Sequence, residues 1–153
     1  MKPPCHVLVT RPQGQQQPLV NALQQSGYHV SHRPALEISA TELSAAQRQV
    51  LLDIDHYHAV IFISRNAAEF ALRALQDVWP QWPVGVLWLA VGEATARELR
   101  AAGLTPEVPP QGFNSEALLA MPCLQTAALA QQKVLLLRGD GGRELLAPTL
   151  RER

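Results

Sequence analysis

The sequence predicts an α/β protein in which a parallel sheet carries helices on both faces. Short apolar runs alternate along the chain with segments of helical period. Runs such as Val60-Ile61-Phe62-Ile63 are apolar at every position, not at every second one, so both faces of the strand should be covered. Four strand ends then pass into helices through small polar turns: Thr10-Arg11-Pro12, Ser64-Arg65-Asn66, Gly92-Glu93-Ala94-Thr95 and the stretch from Arg138 to Arg143.

The elements follow in order. A first strand is expected at 6–10, a helix at 16–25 and a second strand at 29–33. A helix at 44–53 leads to the strand at 59–63, and a helix at 67–75 to the strand at 85–90. A helix at 94–102 is followed by a short strand at 107–108 and a helix at 115–120. A strand at 133–137 and a helix at 143–151 complete the series. Gly27 and Gly103 fall just past helix ends, where the left-handed cap position favours glycine. Arg33-Pro34-Ala35, Trp79-Pro80-Gln81-Trp82-Pro83 and Val108-Pro109-Pro110-Gln111-Gly112 read as breaks. The opening strand–helix–strand is too small to bury a core alone. Either it packs against the rest of the chain or it is one piece of a larger domain, with Arg33-Pro34-Ala35 as an exit from one unit into another.

A chain of 153 residues, 47% hydrophobic and with a formal net charge of zero, is large enough for one ordinary core. No basic surplus exists to neutralise phosphates, so binding of nucleic acid by general electrostatics is not expected. No apolar run approaches the length of a membrane span, and Thr10-Arg11 interrupts any signal-peptide core. Cys5 and Cys123 form no close pair and read as thiols in a reducing cytoplasm. The five histidines lack metal-ligand spacing with supporting carboxylates, so no metal is expected. Trp79, Trp82 and Trp88 read as packing residues.

In open parallel sheets, ligands bind beyond the carboxyl ends of the strands. All four polar turns are expected there, which argues for a common site. Arg138 and Arg143 flank a glycine turn that includes Gly139. They read either as forks for a carboxylate or phosphate or as solvated surface arginines. Gly92 and Thr95 open a helix; they either admit an anion to its N-terminus or simply start it. Ser64 and Asn66 carry the same two readings, and Thr10 and Arg11 face either a cleft or solvent. Ser115, ahead of Glu116, reads as a helix cap. The turn is not G-x-G-x-x-G, and there is no Walker lysine–serine pair and no nucleophile elbow.

Taken in order, these turns resemble the uroporphyrinogen-III synthase family. The likeness runs through Val9-Thr10-Arg11-Pro12, Phe62-Ile63-Ser64-Arg65-Asn66-Ala67 and Ala90-Val91-Gly92-Glu93-Ala94-Thr95-Ala96. It continues through Val108-Pro109, Phe113-Asn114-Ser115-Glu116-Ala117-Leu118-Leu119 and Leu137-Arg138-Gly139 with Gly142-Arg143. The resemblance implies a two-domain α/β enzyme with one discontinuous domain. Residues 1–34 would be its first βαβ part, and 35–153 the α/β domain inserted after the second strand. It also implies that the chain is incomplete at its C-terminal side. The family tyrosine implicated in catalysis falls beyond Arg153, so no catalytic residue is assigned.

The implied reaction is the cyclisation of hydroxymethylbilane to uroporphyrinogen III, with inversion of ring D and loss of water, in haem biosynthesis. The resemblance implies a cytoplasmic lyase without cofactor or metal, acting as a monomer open to transient contact with the preceding pathway enzyme. Nucleic acid and membrane are not expected partners. Its substrate would be held by Thr10, Arg11, Ser64, Asn66, Gly92, Thr95, Arg138, Gly139 and Arg143, in binding and positioning roles. A non-catalytic module for a small anion, or an inactive fragment, is the alternative.

Overall fold

The computed structural model describes residues 5–141 and 144–153. The chain forms two compact units, Met1–Thr41 and Glu42–Arg153.

In the first unit, β1 (His6–Val9) and β2 (His29–His32) pair in parallel across α1 (Gln17–Gln25), with Val7 opposite Val30. Parallel pairing requires a crossover, and α1 supplies it. Proline in the first helical turn suits the start of α1, where its missing N–H costs nothing. Val9 is the buried hydrophobic residue among those described in this unit, while Leu8 is 59% and Leu36 70% exposed.

The second unit holds the main core. Its sheet has the order β4-β3-β5, all parallel. The strands are β3 (Ala59–Phe62), β4 (Leu87–Ala90) and β5 (Val134–Leu137). The helices that accompany them are α2 (Ala45–Leu52), α3 (Arg65–Gln76), α4 (Glu93–Ala101), α5 (Ser115–Leu119) and α6 (Thr126–Leu129). Helix α7 (Leu146–Arg151) follows β5.

Alternate residues of each strand feed two separate cores, because successive side chains leave a strand on opposite sides. Val60, Phe62, Trp88 and Ala90 pack with Leu51, Leu72, Leu75, Ala96 and Leu99 of α2, α3 and α4. Ala59, Ile61 and Leu89 pack with Leu118, Leu119, Leu124, Leu129 and Leu146 on the other side. This explains why the strand sequences show no alternation: the sheet is apolar on both faces and helices cover each. The tryptophans serve packing, as expected. Trp82 meets Trp88 edge-on at 5.9 Å, and its indole N–H donates to the Ala102 carbonyl at 2.7 Å.

Local chemistry sets the helix starts. Ser44 and Gln47 form a reciprocal capping box at α2, at 3.2 and 2.9 Å. Asn114 caps α5, its Oδ1 accepting from the Ala117 N–H at 2.8 Å. Ser115, read from sequence as that cap, is instead the first helical residue. Gly103 ends α4 at φ 85°, with the Leu104 N–H returning to the Leu99 carbonyl at 3.0 Å.

Four further readings change. Helix α3 begins at Arg65, two residues earlier than the periodicity predicts, because Ser64 caps it. The expected strand at 107–108 is a single bridge from Glu107 to Leu89. Pro106 and Pro109 flank this pair and offer no N–H to extend a ladder. The last helix starts at Leu146, later than the expected 143. Helix α6 and the 3-10 turns Ile54–His56 and Pro122–Leu124 are additional elements, too short to show a period.

Candidate functional site

Three strand ends meet at one edge of the second unit's sheet. Phe62 is in register with Ala90 on one side and Leu137 on the other. The turns that follow therefore start at the same level, with neighbouring strands about 4.8 Å apart. They present Ser64, Gly92 and Arg138-Gly139 together.

Ser64 sits at φ −155°, ψ 160°, and its Oγ accepts from the Ala67 N–H at 3.1 Å. It is a helix cap, and its own hydroxyl proton is left to donate. Asn66 lies in the first turn of the same helix, half-buried. Helix α4 starts differently. Gly92 is its cap residue and offers no side chain to its first amides. Such amides, at the positive end of the helix, suit an anion. Thr95 stands in that first turn and is only 5% exposed.

Gly92 has an ordinary extended backbone, with φ −159°. Its nearest neighbour from elsewhere in the chain is Phe113, at ordinary packing distance. A Cβ at this position would lie 3.4 Å from Cβ and Cδ1 of Phe113. No local pattern announces a contact between residues so far apart in the chain, since only the fold brings Phe113 over the start of α4.

The Arg138 guanidinium turns back on its own loop, donating to the Gly141 carbonyl through Nη2 and to the Gly139 carbonyl through Nε. It shapes the turn, and its remaining N–H groups are what a ligand would meet. Gly141 takes φ 76° in this turn, a conformation suited to glycine. Gly139 is exposed, with open space where a side chain would go. Arg143 and Gly142 lie outside the described residues. Thr10 and Arg11 belong to the first unit, at the carboxyl end of β1. The Thr10 carbonyl accepts from the Ala35 N–H at 3.1 Å, and the Arg11 carbonyl pairs with His32 Nε2 at 2.8 Å. Both residues are exposed.

A groove of the second unit, about 590 Å³, extends along β5 from its start to the turn at its carboxyl end. It runs beside β5, lined by Val134, Leu136, Arg138, Leu150, Arg151 and Arg153 among others. Arg138 is common to both places. Arg153 already donates to the Leu119 and Leu124 carbonyls, at 2.7 and 2.6 Å, so it is held by structure.

A family model described as "Uroporphyrinogen-III synthase HemD" matches residues 17–153. The chain belongs to the uroporphyrinogen-III synthase family. It is similar to the uroporphyrinogen-III synthase of Proteus mirabilis, 34% identical over 96% of this chain and 73% of that protein. It is also similar to those of Salmonella typhimurium, at 34% identity, and Escherichia coli, at 32%, each over 96% of this chain. The chain spans 59% of the length of these two relatives. A crystal structure of uroporphyrinogen III synthase from Thermus thermophilus aligns with a TM-score of 0.49 at 19% identity, covering 97% of this chain and 57% of that one.

In this family member, ion pairs tie up the acidic groups of α4. Glu93 accepts from Arg100 at 2.7 Å and lies 3.7 Å from Arg97, while Glu98 accepts from Arg65 of α3 at 2.7 Å. The sequence reading missed these pairs, although the seven-residue spacing of Glu93 and Arg100 places them on one helix face. Their effect is to leave the positive start of α4 less opposed by carboxylate charge. The Arg100 hydrogen bond holds the Glu93 carboxyl below its ordinary range, against a smaller opposing effect of desolvation. A carboxyl depressed in the folded state stabilises at pH above its unfolded value, and that contribution disappears as pH falls through its folded value. Glu93→Gln should therefore show a shallower loss of thermal stability on acidification from pH ~7 to ~3. Equal slopes for the two proteins would remove this pair from the acid response.

Among the described residues, no group of three or more His, Cys, Asp or Glu is placed to hold a metal ion. Also among them, no helix is long and apolar enough to cross a membrane. Cys123 is half-buried, and desolvation pushes its thiol up, which makes it a poor nucleophile near neutrality.

Proposed function

We propose that this chain carries substrate-holding turns of a uroporphyrinogen-III synthase, a hydro-lyase that converts hydroxymethylbilane to uroporphyrinogen III in the cytoplasm. The observation that carries the reading is the levelled set of strand ends in the second unit, where the uncapped start of α4 and the Arg138 turn flank the Ser64 turn. The substrate is a flexible linear tetrapyrrole with many carboxylates. Backbone amides at helix starts and a few arginines suit such groups without a basic protein, in keeping with the zero net charge.

The chemistry asks mainly for orientation. The terminal hydroxyl leaves with a proton as water, giving an azafulvene electrophile. The substituted carbon of the last pyrrole attacks it, forming a C–C bond and a spiro intermediate. Breaking the older bond at that carbon, then reclosing, leaves ring D inverted. Without guidance the same chain closes to the uninverted isomer, so holding one geometry is the catalytic task. Ser64, Asn66, Gly92, Thr95, Arg138, Gly139 and Arg143 are assigned to binding and positioning, as are Thr10 and Arg11 of the first unit. The first unit is assigned to the opening part of a discontinuous domain, and the second to the inserted domain. The thin core of the first unit, with Val9 buried among its described residues, supports that division.

The test is product analysis. Hydroxymethylbilane is supplied to the chain, the products are oxidised to porphyrins and the isomers are resolved. An excess of type III over the enzyme-free control is the expected result. Type I alone, matching that control, overturns activity for this chain.

A further inference from the structure

Phe113 is a large aromatic side chain that the structure leaves mostly in solvent beside these turns. It keeps 71% of its surface exposed. Its ring is not adrift, because Cβ, Cγ and Cδ1 all lie within 3.7 Å of where a Gly92 Cβ would stand. The bland explanation is a hydrophobic staple, since Phe113 directly precedes the Asn114 cap of α5. A staple would lay the phenyl surface on the fourth helical residue, Leu118. Leu118 is already fully buried, whereas Phe113 remains largely open. The staple therefore leaves most of the ring surface unexplained.

We propose that Phe113 is a stacking platform for one pyrrole ring of the substrate, a positioning residue at the start of α4. The inference rests on the synthase reading and adds to it the contact that selects an aromatic ligand. The first amides of α4 and the buried Thr95 follow directly on Gly92, against which the ring lies. A π-rich ring laid on the phenyl face would bring its short carboxylate arms to those amides. The amides alone do not separate an aliphatic polycarboxylate from a pyrrole; the phenyl face does. Stacking on an exposed aromatic depends on a π face, and an aliphatic side chain of similar bulk does not replace it.

The experiment uses two stable probes on the full chain: uroporphyrin III, followed by its fluorescence, and tricarballylate, an aliphatic tricarboxylate, followed by amide NMR shifts. Phe113→Ala and Phe113→Leu should each weaken uroporphyrin III binding about five- to ten-fold and leave tricarballylate affinity unchanged. Phe113→Trp should restore porphyrin binding. Circular dichroism should show all three variants folded, since the ring is largely exposed. If Phe113→Leu binds uroporphyrin III as tightly as the unaltered chain, the platform is overturned and the synthase reading stands. Equal weakening for both probes also overturns it, since the ring would then merely shape the anion site. If the unaltered chain binds no uroporphyrin III and yields type I isomer alone, the synthase reading fails and the platform with it.

Discussion

Phe62→Ala is expected to destabilise the second unit by about 3–5 kcal/mol. The phenyl group is fully buried on the central strand, with its centroid 6.3 Å from that of Trp88. It belongs to the core between the sheet and α2, α3 and α4. A cavity there cannot collapse easily, because β3 is hydrogen-bonded on both sides. The position also reaches the site. The Phe62 carbonyl accepts from the Val91 N–H at 3.1 Å, and Ser64 follows two residues later. Urea unfolding monitored by tryptophan fluorescence checks the magnitude. A loss below ~1 kcal/mol would mean that this core is loosely packed, contrary to the close burial of its members.

Gly92→Asp is expected to separate folding from binding. An aspartate at the cap of α4 would accept from the Ala94 N–H, the Thr95 N–H already donating to the Gly92 carbonyl at 3.1 Å, and would complement the helix dipole. Stability should hold or rise by a few tenths of a kcal/mol. The same carboxylate would occupy the place proposed for a substrate carboxylate and repel its charge. Uroporphyrin III affinity should fall roughly fifty-fold, as charge-assisted hydrogen bonds worth ~1.5–3 kcal/mol are lost. The added side chain also touches Phe113, so Gly92→Asn is the matched control, with the same shape and no charge. Weaker binding for Asp than for Asn assigns the loss to charge. Equal affinity of Asp and the unaltered chain would take the start of α4 out of the site.

The two predictions depend on features that are unequally visible in the sequence. Phe62 is legible, because a run apolar at every position has only one comfortable environment, a strand covered on both faces. The helix at Ser64 is legible through its capping residue, although the cap itself shifts the start of α3 to Arg65. The strand expected at 107–108 shrinks to one bridge because proline neighbours bar further pairing, and pairing is not a local property. Helix α6 has no sequence signal, since four residues are little more than one turn. At the site, the residue types and their order carry the family likeness. The direction of the Arg138 guanidinium does not follow from them, because a side chain with several rotatable bonds is placed by whatever acceptors the folded turn offers.

The sequence by itself determined the alternation of strands and helices, the two-faced sheet and the family, because these are written in local patterns of burial and turn chemistry. Only the tertiary structure decided that Phe113 lies against Gly92, that Glu93 and Glu98 are neutralised by arginines, and that Arg138 folds back on its own loop. Those contacts depend on which turns the parallel register brings to one level. Register is a property of strands packed together, set by hydrogen bonds between segments far apart in the chain.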